Sequence, residues 1–269
     1  MIPRLFRNGY RTVITAVCLC LPTIALADKV PADVRPGRAD LPQRSAPLPL
    51  QIAAADDAEL ESEKPGIMPV EPKKDEKTGF VVGGKNATSL IEKLTELNGR
   101  TIEELEADMR PGAKSAVSST AGFLGADESL LAILAADNRY VVDELGLTHQ
   151  ELAKHLHVLG ALAVDHTREA IKAGRRGAVK EVTYQGRKFS LEAQLWRGVQ
   201  RSPFKDGTNT NADAIVTNVE TGKVLKFSLL VPHMIERYGF YEGKGTPYRV
   251  DPKQVLEVLD FLQPKRGGK

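Results

Sequence analysis

The sequence predicts an α+β protein. The expected arrangement is an N-terminal helical bundle packed on a small antiparallel sheet of two hairpins, closed by a C-terminal helix and preceded by a disordered tether. Three observations predict it. Apolar residues recur at helical spacing up to residue 174. After Gly177 the period switches from 3.6 to 2. Residues 28–78 hold eight of the sixteen prolines and no aromatic residue. Helices come first and strands later, without βαβ repetition, which excludes a doubly wound parallel sheet.

Residues 1–27 read as a secretory signal. Arg4, Arg7 and Arg11 precede an apolar stretch, Thr12–Ala27, that ends in the small-residue site Ala25-Leu26-Ala27. That stretch is shorter than the roughly 20 residues of a spanning helix, so cleavage is expected and no stable membrane span should remain. The chain is therefore expected in the periplasm or secreted. Cys18 and Cys20 both lie inside this leader. The mature protein would then have no disulfide, no thiolate nucleophile and no cysteine metal ligand. Loss of the three leader arginines tips 37 basic and 35 acidic residues to a slight acidic excess. That balance argues against a general nucleic-acid binder.

Residues 28–78 mix prolines with runs such as Asp56-Asp57-Ala58-Glu59 and Lys73-Lys74-Asp75-Glu76-Lys77. Such a stretch buries too little apolar surface to offset chain entropy, so an extended tether is expected. A single domain should follow over 79–262, helical over 79–174 and sheet-containing over 179–262, with a basic tail at 263–269.

The first helix is placed at 85–99 on Leu90, Ile91, Leu94 and Leu97. The second runs over 101–109, opened by a capping box of Thr101 and Glu104. Residues 113–126 form a loop anchored by Phe123 and Leu124. A third helix covers 127–136, with a further turn or two near 140–145. The longest helix spans 148–172, capped by Thr148 with Glu151, and its stripe of His149, Leu152, Leu156, Leu159, Ala163 and His166 faces the core. Strands at 179–184 and 188–196 make one hairpin around Gln185-Gly186, and strands at 212–219 and 223–230 make the other. A short helix at 232–237, a glycine-rich loop at 239–249 and a closing helix at 251–262 complete the domain.

Candidate chemistry falls into four places. No two histidines of the long helix stand three or four residues apart, so that helix offers no metal pair. Asn209, Asn211, Asp213 and Glu220 are spaced like oxygen ligands of a calcium loop, although the sixth position is Ala214 rather than glycine. Calcium is thus the one cofactor with a candidate site; none is predicted. In the stretch 231–249, Tyr238, Phe240, Tyr241 and Tyr248 are interleaved with His233, Glu236, Arg237, Glu242 and Arg249. His233 and Glu242, with Asp206 or Asp213, carry the catalytic reading, and Arg237 or Arg249 could hold an anion. Finally, Trp196 falls on the wetter face of its strand, followed by Arg197, Gln200 and Arg201, with a bulge expected near Gly198. Trp196, Gln200, Arg237, Tyr241, Tyr248 and Arg249 are the candidate binding residues.

The expected function is a non-catalytic binding or interaction module of the cell envelope, with an envelope protein or a small polar ligand as partner. The alternative is a small periplasmic hydrolase working through His233, Glu242 and Asp213. No catalytic spacing specific to a known reaction is present, so the sequence leaves enzyme status open.

Overall fold

The structure, a computed structural model, describes residues 71–83, 86–113 and 120–263. The leader, residues 28–70 of the expected tether and the tail at 264–269 lie outside the described residues.

The chain enters as a small hairpin. Strand β1 (Lys73–Lys74) pairs antiparallel with β2 (Val81–Val82). Asp75 organises the turn, accepting from the backbone of Lys77 and Thr78 and from the Thr78 hydroxyl. The boundary drawn at residue 78 falls inside this hairpin. Helix α1 (Ala87–Ile91) follows, then a second tight hairpin of β3 (Glu96–Leu97) and β4 (Arg100–Thr101). Helix α2 (Ile102–Met109) starts at Thr101, where the expected capping box is formed in full. Helix α3 (Leu130–Asn138) runs on through a π-helical turn at Arg139–Glu144.

The described residues do not form the expected N-terminal helical bundle. The physical reason is local. Asn98 and Gly99 take φ values of 51° and 69°, the two positive angles of a tight hairpin turn, and this ends the apolar run expected to be one helix. The result is helices of five, eight and nine residues, too short to pack along one another as a bundle. The one long helix among the described residues, α4 (His149–Lys172), packs on the sheet and on the short helix at 230–238.

The antiparallel sheet of two hairpins is present. The hairpins are joined side by side as one meander of β5 (Lys180–Tyr184), β6 (Arg187–Arg201), β7 (Asn209–Asn218) and β8 (Val224–Ser228), in that order. Strand β6 continues past Trp196 and pairs with β7 along most of its length, joining the hairpins. In register, Leu191 stands beside Val216 and Val216 beside Leu225; Ala193, Ala214 and Phe227 form the next row. These side chains are buried against α4. Each large one contributes about 1.5–3 kcal/mol by leaving water. The opposite face carries Ser190, Glu192, Gln194 and Trp196 of β6, Asp213, Ile215 and Thr217 of β7, and Lys226 and Ser228 of β8, none of them fully buried.

Helix α5 (Leu230–Tyr238) packs on α4, and α6 (Pro252–Val258) closes the domain from its Asp251 cap. Asn218 ties α6 to the sheet. Its amide donates to the Val258 carbonyl, and its oxygen accepts from the backbone of Glu220 and Thr221. Among the described residues no helix is long and apolar enough to cross a membrane.

Candidate functional site

The open face of the sheet is interrupted at one end by the bulge the sequence places near Gly198. Leu195 pairs with Ala212 and Gln200 with Thr210, so residues 196–199 stand opposite Asn211 alone. The Asn211 side chain donates to the Trp196 carbonyl at 3.3 Å and pins the looped-out backbone. A bulge bends its strand and re-aims side chains. Here it leaves Trp196 53% and Val199 58% exposed.

A second wall comes from the loop between α5 and α6. Tyr248 stands 56% exposed at its crest. The loop is held from below by three contacts. Arg249 makes a two-pronged salt bridge to Asp137 of α3, at 2.6 and 3.1 Å, and also donates to the Glu242 carbonyl. Burial disfavours the Arg249 charge, but Asp137 more than restores it, and the guanidinium pKa is raised. The Glu128 carboxylate accepts from the backbone N–H groups of both Gly125 and Gly245. Gly243 donates to the Phe123 carbonyl, and a Cβ at position 243 would lie 2.9 Å from the Leu124 Cα, so the two backbones touch.

Between the walls lies a groove of about 660 Å³ lined by Trp196, Val199, Gln200, Asn211, Asp213 and Tyr248, among others, with Lys226, Ser228 and Arg249 also contributing. That volume is within the range of about 300–1,000 Å³ of small-ligand sites. Its floor is polar. Ser228 donates to the Gln200 carbonyl oxygen at 2.7 Å, and Lys226 reaches both Gln194 and Asp213.

The structure thus gathers four of the six candidate binding residues: Trp196, Gln200, Tyr248 and Arg249. The other two go elsewhere. Tyr241 is buried, and its hydroxyl lies 2.9 Å from His149 Nδ1; burial holds its pKa well above the usual tyrosine value. Arg237 sits on α5 and does not line the groove. Asn211, Val199 and Asp137 complete the arrangement without having been singled out for these roles by sequence. The Trp-x-Gly sequence marked the bulge, but nothing local marked its partner strand.

The calcium arrangement is not formed. Asn209, Asn211 and Asp213 follow one another along the same face of β7, and Glu220 lies beyond its far end. At about 3.3 Å per residue, the two ends of β7 are about 30 Å apart. Asp213 pairs instead with Lys226 at 3.7 Å. Among the described residues no group of three or more His, Asp or Glu side chains could hold a metal ion.

Of the catalytic candidates, His233 meets Asp206 but not Glu242 or Asp213. His233 Nε2 lies 2.7 Å from Asp206 Oδ2, which also accepts from the Tyr238 hydroxyl at 3.0 Å. Burial works against the Asp206 charge, but hydrogen bonds from His233, the Thr208 N–H and Tyr238 prevail and lower its pKa. Glu242 is buried elsewhere, in a left-handed conformation with φ of 67°, where one oxygen meets Thr246 and the other has no partner. Burial pushes its pKa up to about 8, against the hydrogen bond of Thr246 and the Arg249 charge. His233 makes no hydrogen bond to Glu242 or Asp213.

Comparison with protein-family models, curated proteins and solved structures returns no match.

Proposed function

We propose that the chain is an exported, non-catalytic binding module of the cell envelope, and that its ligand lies in the groove between the β6 bulge and the Tyr248 loop. One observation supports this most. A backbone irregularity pinned by Asn211 leaves Trp196 and Val199 more than half exposed beside a half-exposed Tyr248. Exposed aromatics grouped around a groove are costly to keep in water and typical of contact surfaces. The loop that carries Tyr248 is fixed by a buried ion pair, so the site is preorganised and binding orders little.

The test uses Trp196, the sole tryptophan. Envelope material is fractionated into lipid, polysaccharide and peptide pools and titrated against the full chain. At least one pool should change Trp196 emission saturably, and Tyr248→Ala should abolish the change. No response to any pool would remove this reading. The hydrolytic alternative rests on the His233–Asp206 pair. Turnover of any pool that disappears in His233→Gln would favour it.

A further inference from the structure

We infer that the groove takes an uncharged oligosaccharide, an assignment that rests on reading the groove as the ligand site. The argument is one of charge and of hydrogen-bond supply. Three charged side chains line the groove, and each is compensated within the protein. Asp213 and Lys226 pair with each other at 3.7 Å, and Lys226 also donates to Gln194. Arg249 is committed to Asp137 through both terminal nitrogens. An anion would have to compete with Asp137 for Arg249, and a cation with Lys226 for Asp213. The lining therefore selects no net charge.

What remains available is neutral and of both polarities. Ser228 occupies the carbonyl oxygen of Gln200, which leaves the Gln200 NH₂ as a donor. Asn211 uses its NH₂ on the Trp196 carbonyl, which leaves its oxygen as an acceptor. Thr210 accepts from the Ala212 N–H, which leaves its hydroxyl proton to donate. A group that both donates and accepts satisfies each of these, and a sugar hydroxyl is such a group. Trp196 and Tyr248 line the same groove, both more than half exposed. The apolar C–H face of a pyranose ring packs on an aromatic plate while its hydroxyl rim stays hydrogen-bonded. Neutral amides and hydroxyls beside two exposed aromatics, with each lining charge paired within the protein, match that ligand.

The experiment titrates the full chain with a panel of neutral tetrasaccharides: β-linked glucose, β-linked N-acetylglucosamine, α-linked glucose and α-linked mannose. Tetragalacturonate, a chitosan tetramer and an uncharged proline-rich peptide are run beside them. Trp196 emission is the readout. The expected result is saturable binding of at least one neutral sugar, unchanged between about 50 and 500 mM salt because no charge is neutralised. Tyr248→Ala should weaken it about tenfold, as loss of a central aromatic contact does, with the far-ultraviolet circular dichroism preserved. Binding confined to the charged sugars, salt-sensitive binding, or unaltered affinity in Tyr248→Ala would overturn the inference. A response to the peptide and to none of the sugars would overturn it too, yet leave the groove as a ligand site. Silence toward every probe and every envelope pool would remove both.

Discussion

The two faces of strands β6 to β8 use the same backbone for opposite ends. Residues 189, 191 and 193 of β6 point toward α4 and are buried with Ala214, Val216 and Phe227. Their neighbours at 190, 192 and 194 point the other way, and the row ends at the bulge, where Trp196 stands in solvent. On the dry side, shape complementarity is the organising rule. On the open side, polar groups bond to one another, as Ser228 does to Gln200 and Lys226 to Asp213. The difference shows how a strand with period two can stabilise a domain with one set of side chains while the other set is left free for contact.

The comparison can be broken by exchanging large side chains on the two faces. Phe227→Ala, on the dry face, should destabilise the protein by about 3–5 kcal/mol through lost burial and the cavity left behind. Trp196→Ala, on the open face, should stay within about 0.5 kcal/mol of the parent. Urea melts read both. Equal losses would show that Trp196 is part of the core.

Three buried titratable groups favour their neutral forms, and pH tests that. His149 is buried with Nδ1 against Tyr241 and Nε2 3.2 Å from Asn138 Oδ1, which fits one neutral tautomer. His155 Nδ1 lies 2.6 Å from the Tyr184 hydroxyl. Burial pushes both pKa values down to about 4. The unfolded chain takes up protons near pH 6.5 and the folded chain does not, so stability falls as pH drops from 6.5 toward 4. The loss by pH 5 is about 2 kcal/mol per histidine. Glu242 acts with the opposite sign. Its folded pKa of about 8 exceeds the unfolded value, so its contribution is complete below pH 4.5 and is lost as pH rises through 8. Stability should therefore peak near pH 6.5, and Glu242→Gln should replace the fall on the alkaline side with a plateau. Thermal melts across pH 4–9 on both proteins decide it. A flat profile would mean that water reaches these groups.

The smallest effect sharpens the comparison at the bulge. Asn211→Ala removes the hydrogen bond to the Trp196 carbonyl and should cost about 1 kcal/mol. The more telling readout is Trp196 emission in the absence of any ligand. It should shift if Asn211 holds the indole in place, and an unchanged spectrum would show that the strand alone does so.

Local signals in the sequence carried much of this. The caps at Thr101 and Thr148, the stripe of α4 and the alternation of β6 each depend on residues within one or two turns of each other, and each appears where expected. The Asn98-Gly99 turn was equally local, but the apolar spacing of Leu90 to Leu97 concealed it. The groove required pairings that no local pattern holds. Arg249 meets Asp137 across 112 positions, and Gly245 meets Glu128 across 117. The sheet itself was expected, but the register of β6 on β7, set across the segment 202–208, was not.

Glu128 gives that distance a mechanical meaning. One carboxylate clasps the amide of Gly125 and the amide of Gly245, so two stretches far apart in the chain share a single rivet. The crest that bears Tyr248 is thereby geared to the segment beginning at residue 120. Removing that one carboxylate would release both amides at once.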